Sequence, residues 1–212
     1  MTKIKICGIT NEQDAVWAAN LGVDYIGLNF FENSPRKTSE PMVKKIIAGL
    51  PPYVLPVGIF VNEELKKVIR TATKCNFSLV QLHGTEDKEY CRQLQEAGLK
   101  VIKVFRIADD PNLVLPLEEY QEVADYFLFD TFVPEEAGGT GKSFNWDILT
   151  PQKLAVKLTF ISGGLNPDNV GELLEKVQPY AVDVCSGIER LPRRKDYEKM
   201  HQFVLKVRGS AK

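Results

Sequence analysis

Eight short apolar runs, separated by longer amphipathic stretches, constrain this chain more than any other feature of its sequence. They occupy residues 4–6, 25–28, 57–60, 79–82, 101–104, 126–129, 158–161 and 181–184. Each is hydrophobic throughout or carries one polar residue, the pattern of parallel strands covered on both faces. The stretches between them carry helix start and stop signals. Thr10 and Asn11 precede a pattern through Val16, Trp17 and Leu21 that Gly22 closes. Thr85 to Lys88 open a helix that reaches Leu94 and ends at Gly98, and Pro167 sits early in a turn that leads to Val170, Leu173, Leu174 and Val177. Asp196 starts the last helix, with Met200, Phe203, Val204 and Val207 as its buried stripe.

No Gly-, Pro- or Ser-rich linker divides the chain. Eight strand–helix units in 212 residues predict an α/β fold, a TIM (β/α)8 barrel formed as one domain over residues 1–212. That is short for a fold that usually takes about 250 residues. An open doubly wound sheet is the rival, since periodicity does not separate closed from open; the strand count favours the barrel.

With 27 Lys plus Arg against 28 Asp plus Glu, the net charge is -1, which gives no electrostatic footprint for nucleic acid or an anionic membrane. A small anionic substrate stays compatible with it, because a few local donors hold a phosphate. Cys7, Cys75, Cys91 and Cys185 form no CxxC pair, and His83 and His201 are the two imidazoles, so a zinc site has few ligands to draw on. The start MTKIKICGIT lacks the charged start and apolar run of a signal peptide, and no segment has the apolar length to span a bilayer. The expectation is a reduced, cytoplasmic protein without a bound metal.

In a barrel of this kind, reactive groups belong at the C-terminal ends of strands. Cys7 directly follows the first run. It reads either as a small buried hydrophobe, which position alone favours, or as a thiolate base beside the flexible Gly8. The second role requires a nearby positive charge or amide dipole to lower its pKa. Asp130 ends the sixth run, where burial would raise its pKa and make it a usable acid; capping of the next turn through Thr131 is an equal alternative. Arg36, in a loop set by Pro35, offers a fork for a carboxylate, although isolated loop arginines are usually solvated. His83 reads as a polar barrel residue or a substrate contact, with no evident partner.

The stretch Gly138-Gly139-Thr140-Gly141-Lys142-Ser143 invites a P-loop assignment and fails it, since Glu136 stands where the first glycine is needed. Gly163, Gly164, Ser186 and Gly187 fall after the seventh and eighth runs, where backbone amides can cradle a phosphate. Tight turns explain any one of them; together they favour an anion site. Cys185 is open between packing and function, whereas Cys75, Cys91 and His201 sit on helical stretches and read as packing residues.

Taken together, the segments 5–10, Phe30 with 34–36, 80–84, Asp130-Thr131 with 138–141 and 144–146, 163–165, and 183–189 resemble the phosphoribosylanthranilate isomerases over nearly the whole chain. The resemblance implies an Amadori rearrangement in tryptophan biosynthesis, with Cys7 as general base and Asp130 as general acid. It implies Arg36 on the anthranilate carboxylate and the glycine loops on the phosphate, with His83 and Gly141 as further substrate contacts. It implies no metal or organic cofactor, a small-molecule substrate, and a monomer in preference to a homodimer. The chain departs from the usual pattern at Cys185, Asn145, Ser162 and Arg193, where serine, aspartate, alanine and glycine are common. The similar isomerases of histidine biosynthesis place aspartate where Cys7 stands. A dual-substrate isomerase and a non-catalytic sugar-phosphate-binding barrel are the remaining alternatives.

Overall fold

The computed structural model describes residues 1–108, 110, 114–131, 146–149 and 156–209. All eight apolar runs are strands: β1 (Lys3–Ile6), β2 (Tyr25–Asn29), β3 (Leu55–Phe60), β4 (Leu79–Leu82), β5 (Lys100–Ile107), β6 (Tyr126–Thr131), β7 (Leu158–Ile161) and β8 (Ala181–Val184). They pair in sequence order, every pair parallel, and β8 returns to β1 to close the barrel. The open-sheet alternative is thereby excluded. Helices α1 (Glu12–Asn20), α2 (Glu40–Ala48), α3 (Leu65–Cys75), α4 (Lys88–Glu96), α5 (Leu117–Tyr120), α6 (Val170–Lys176) and α7 (Tyr197–Gly209) cover its outside.

The helix ends follow local chemistry. Asn11 accepts from the Asp14 amide and Asp87 from the Tyr90 amide, each satisfying a donor that a helix start leaves unpaired. Gly22 and Gly98 follow the ends of α1 and α4 with φ of 74° and 81°. Beyond β8, a 3-10 turn (Ser186–Ile188) runs into a hairpin of β9 (Glu189–Leu191) and β10 (Arg194–Lys195), which the sequence reading did not anticipate.

Strand side chains alternate between faces, and the core divides accordingly. Ile4, Ile6, Ile26, Leu28, Phe127, Phe129, Val182 and Val184 pack outward against the helices. Tyr25, Val57, Leu79, Ile102, Val104, Leu128, Phe160 and Ala181 fill the barrel interior as a separate cluster. Two residues further along the strands this inner face turns polar. Lys5 and Asp183 lie there as a buried ion pair at 2.8 Å, with Gln81 beside them in the same buried layer. Leaving either charge unpaired would cost about 3–5 kcal/mol, so each requires the other. Asp183 and Gln81 form part of the floor of the cleft above.

Candidate active site

One more step of two residues brings the inward face to the C-terminal mouth. Cys7 from β1, His83 from β4, Arg106 from β5, Asp130 from β6 and Cys185 from β8 all line one cleft, joined by Arg36, Gly163, Gly164 and Ser186 from the loops. Gly187 lies just behind it, so close to the Leu165 carbonyl that a Cβ would sit 2.0 Å from that oxygen. Gly141 and the segment 138–143 lie outside the described residues.

Asp130 caps the next turn and also lines the cleft. Its Oδ1 accepts from the Thr131 amide at 2.9 Å, the expected turn cap, while Oδ2 faces His83 Nε2 at 3.1 Å. His83 therefore has the partner that its sequence context did not reveal. Its Nδ1 accepts from Gln81 Nε2 at 3.1 Å, which leaves Nε2–H to donate to Asp130. These bonds fix the plane of a carboxyl group that looks into the cleft.

Arg36 is placed by a chain of local bonds. Asn29 Oδ1 accepts from the Phe31 amide, Asn29 Nδ2 donates to Ser34 Oγ, and that oxygen accepts from the Arg36 amide. The guanidinium then reaches across to Glu189, donating from Nε at 2.9 Å and Nη2 at 2.7 Å. One edge of the fork, Nε and Nη2, is thus committed inside the protein, and Nη1 makes no hydrogen bond among the described residues. Glu189 also accepts from the buried Lys195 Nζ at 3.1 Å. Burial works against the Glu189 carboxylate, but Arg36 and Lys195 outweigh it and hold its pKa below the ordinary value. Sequence reasoning quoted Glu189, Gln81 and Asp183 within motifs and gave them no role; Lys195 and Arg106 were missed outright.

The loop after β7 is held from behind. Gly164 offers its carbonyl to Asn169 Nδ2 at 3.0 Å and Asn166 Nδ2 at 3.3 Å. Gly163 has φ of 92° and packs on Thr131, where a Cβ would lie 2.0 Å from Oγ1. Only glycine fits there. The turn brings the loop's backbone to the rim of the cleft that Arg36 also lines.

Cys7 sits half-buried at the end of β1. Its thiol donates toward the Cys185 sulfur, and this contact, desolvation and the nearby Asp183 outweigh Lys5 and push its pKa well up. Cys185 is the acidic partner. Accepting from Cys7, with Lys195 and Arg36 near and burial opposing, it falls to about 6. The remaining cysteines pack in α3 and α4, as anticipated, and burial raises both.

Among the described residues, no three side chains of metal-ligating type cluster, and no helix is long and apolar enough to cross a membrane. The cleft therefore offers a thiol pair, a hydrogen-bonded carboxyl group, an anchored guanidinium and a glycine-lined rim. That set suits proton transfer on an anionic small molecule.

Known proteins of similar sequence and fold agree. The family model of N-(5'phosphoribosyl)anthranilate (PRA) isomerase matches residues 4–206. The N-(5'-phosphoribosyl)anthranilate isomerase of Geobacter metallireducens is 43% identical over 209 residues, covering 99% of this chain and 100% of that protein. The phosphoribosyl anthranilate isomerase of Thermotoga maritima superposes with a TM-score of 0.90 at 37% identity, covering 99% of this chain and 100% of that one. A structure of phosphoribosyl anthranilate isomerase in complex with reduced 1-(o-carboxyphenylamino)-1-deoxyribulose 5-phosphate superposes with a TM-score of 0.87 at 36% identity, with 99% and 100% coverage. With a matching family model over nearly its whole length and relatives this similar end to end, the chain belongs to the N-(5'-phosphoribosyl)anthranilate isomerase family.

Proposed function

We propose that this enzyme converts N-(5'-phosphoribosyl)anthranilate into 1-(2-carboxyphenylamino)-1-deoxyribulose 5-phosphate, an Amadori rearrangement of tryptophan biosynthesis. The observation that carries the reading is the meeting of Cys7 and Asp130 in one cleft that Arg36, Gly163 and Gly164 also line. The similar chain solved with a reduced form of that product supports the substrate class.

Asp130, protonated, donates to the ribose ring oxygen and opens the ring to an iminium. The iminium draws electrons from the neighbouring carbon, and the sulfur at Cys7 takes the proton released there. The resulting enolamine tautomerises to the ketone. Arg36 Nη1 meets the anthranilate carboxylate, and the amides around Gly163, Gly164 and Ser186 meet the phosphate. His83 orients Asp130 and contacts the sugar. The same reading places a monomer in the cytoplasm; sedimentation of the purified protein as a dimer would correct its oligomeric part.

Loss of phosphoribosylanthranilate fluorescence follows the reaction directly. Cys7→Ala and Asp130→Ala should each lower kcat at least roughly a hundredfold while substrate still binds. Near-native turnover in either variant removes that residue from the mechanism. A native protein that leaves phosphoribosylanthranilate unchanged removes the activity itself.

A further inference from the structure

We propose that Cys185 is a positioning residue for the isomerisation, its sulfur taking up the Cys7 proton so that the two thiols act as one base. Cys7 touches the sugar; Cys185 carries the negative charge. This rests on the role given to Cys7 above and adds to it a residue for which the reaction scheme has no other use.

The barrel's closure creates the pair. Strands β1 and β8 are neighbours, with Lys5 paired to Asp183 and Ile6 to Val184, and the Cys7 amide donates to the Val184 carbonyl at 2.8 Å. The next inward rung above Lys5 and Asp183 therefore holds Cys7 and Cys185. Glycines on both sides leave room for the sulfurs. A Cβ on Gly27 would lie 3.0 Å from Cys7 Sγ, and one on Gly8 would lie 3.0 Å from Cys185 Sγ and 2.6 Å from Arg36 Cδ. Gly8, with φ of 73°, turns the chain away directly after Cys7 and leaves that space open.

The surrounding charges call for one anion. Lys5 faces the pair from β1, Arg36 from the loop after β2, Asp183 from β8, and Glu189 and Lys195 from the hairpin. Three cations thus meet two carboxylates, and a single thiolate brings the buried group to neutrality. Lys195 decides which sulfur carries it. Its Nζ, on a side chain only 1% exposed, reaches Cys185 Sγ at 3.9 Å while donating to the Cys185 carbonyl at 2.9 Å. A charged amine held there stabilises a thiolate on Cys185 and leaves the proton on Cys7.

The proton count closes. The C–H bond beside the iminium breaks, and its electron pair stays on carbon as the enolamine forms. The released proton binds Cys7 as the proton Cys7 already holds crosses to Cys185. One S–H bond breaks and two form, so the pair ends with both thiols protonated. As the enolamine becomes the ketone, the pair gives one proton to the former iminium carbon and the enol O–H proton passes to Asp130, which restores the acid.

The test reads thiolate absorbance against pH in the free native enzyme, in Cys7→Ser and in Cys185→Ser, alongside the pH profile of kcat/KM. Cys75 and Cys91 stay silent near neutrality because burial raises both, Cys91 to about 11. One thiolate should appear near pH 6 in the native protein, persist in Cys7→Ser and vanish in Cys185→Ser. Turnover by Cys185→Ser should fall roughly tenfold at neutral pH and recover at alkaline pH as its acid limb moves upward, with KM little changed. A thiolate that survives in Cys185→Ser and is lost in Cys7→Ser overturns the proposal, as does an unmoved acid limb. Should Cys185→Ser not fold, Cys185→Ala and the native titration decide; a native protein with no thiolate below about pH 8 refutes it alone. The absorbance needs no substrate, so a protein that titrates at Cys185 but lacks isomerase activity contradicts only the function proposed above.

Discussion

Arg36 meets the cleft already tethered, and this changes what its guanidinium can do. A free loop arginine samples many rotamers and loses that freedom on binding. Here Glu189 has immobilised the fork in advance, two bonds deep, so a ligand carboxylate meets a preorganised Nη1. Glu189→Gln should therefore raise KM several-fold and leave kcat nearly unchanged, because Arg36 keeps its charge and loses its aim. Steady-state kinetics check this, and an unaltered KM contradicts the tether. The same substitution has a pH signature. The Glu189 pKa is lowered in the fold, so its stabilising contribution is fully present above the ordinary carboxylate value and is lost as pH falls through the lowered one. Melting temperature should decline less in Glu189→Gln than in the native protein across that acid window. At this scale the sequence and its family resemblance singled out Cys7, Asp130 and Arg36 but not their partners. Arg36 and Glu189 are 153 positions apart, and Cys7 meets Cys185 only because the sheet closes. No local spacing encodes either pairing.

Strands and helix ends were the most legible elements. Each apolar run became a strand, and the Asn11 and Asp87 caps sit at the starts of α1 and α4. Strand length was underestimated at β5, which continues through Arg106 to Ile107. A run counted by its apolar core stops where side chains begin to line a polar mouth. The same bias hid Gln81, Lys5 and Asp183, the single polar residues inside otherwise apolar runs. An isolated polar residue in a run does not by itself mark the interior, since Lys103 and Thr159 stand in runs of the same kind on the outward face, where Lys103 pairs with Glu86. The hairpin β9–β10 was not legible either, being short and mostly charged. Its turn holds Arg193 at φ of 72°, a left-handed conformation, at the position where the resemblance leads one to expect glycine. A non-glycine residue there costs about 1–2 kcal/mol, against about 0.5–1 kcal/mol of extra chain entropy that glycine would lose on folding. Arg193→Gly should therefore raise the melting temperature by a few degrees. Calorimetry that finds a lower one would place a stabilising contact on the Arg193 side chain.

Closure is the property from which the site follows. An open sheet would leave β1 and β8 at opposite edges and would separate Lys5 from Asp183 and Cys7 from Cys185. In the closed barrel they become neighbours, while Asp130 looks in from β6 and Arg36 from the loop after β2. Strand count indicated this architecture, but inward and outward faces became distinct only once the register was known.

The central claim is that one pentose lies between the Cys7 sulfur and the Asp130 carboxyl, with its two ends held by Arg36 and the glycine rim. A crystal structure of this enzyme with the reduced product 1-(o-carboxyphenylamino)-1-deoxyribulose 5-phosphate tests it most directly. The sugar should contact both Cys7 and Asp130, with the carboxylate on Arg36 Nη1 and the phosphate on the loops of Gly163, Gly164 and Ser186. A phosphate seated at Arg36, or a sugar touching neither Cys7 nor Asp130, would contradict the assignment.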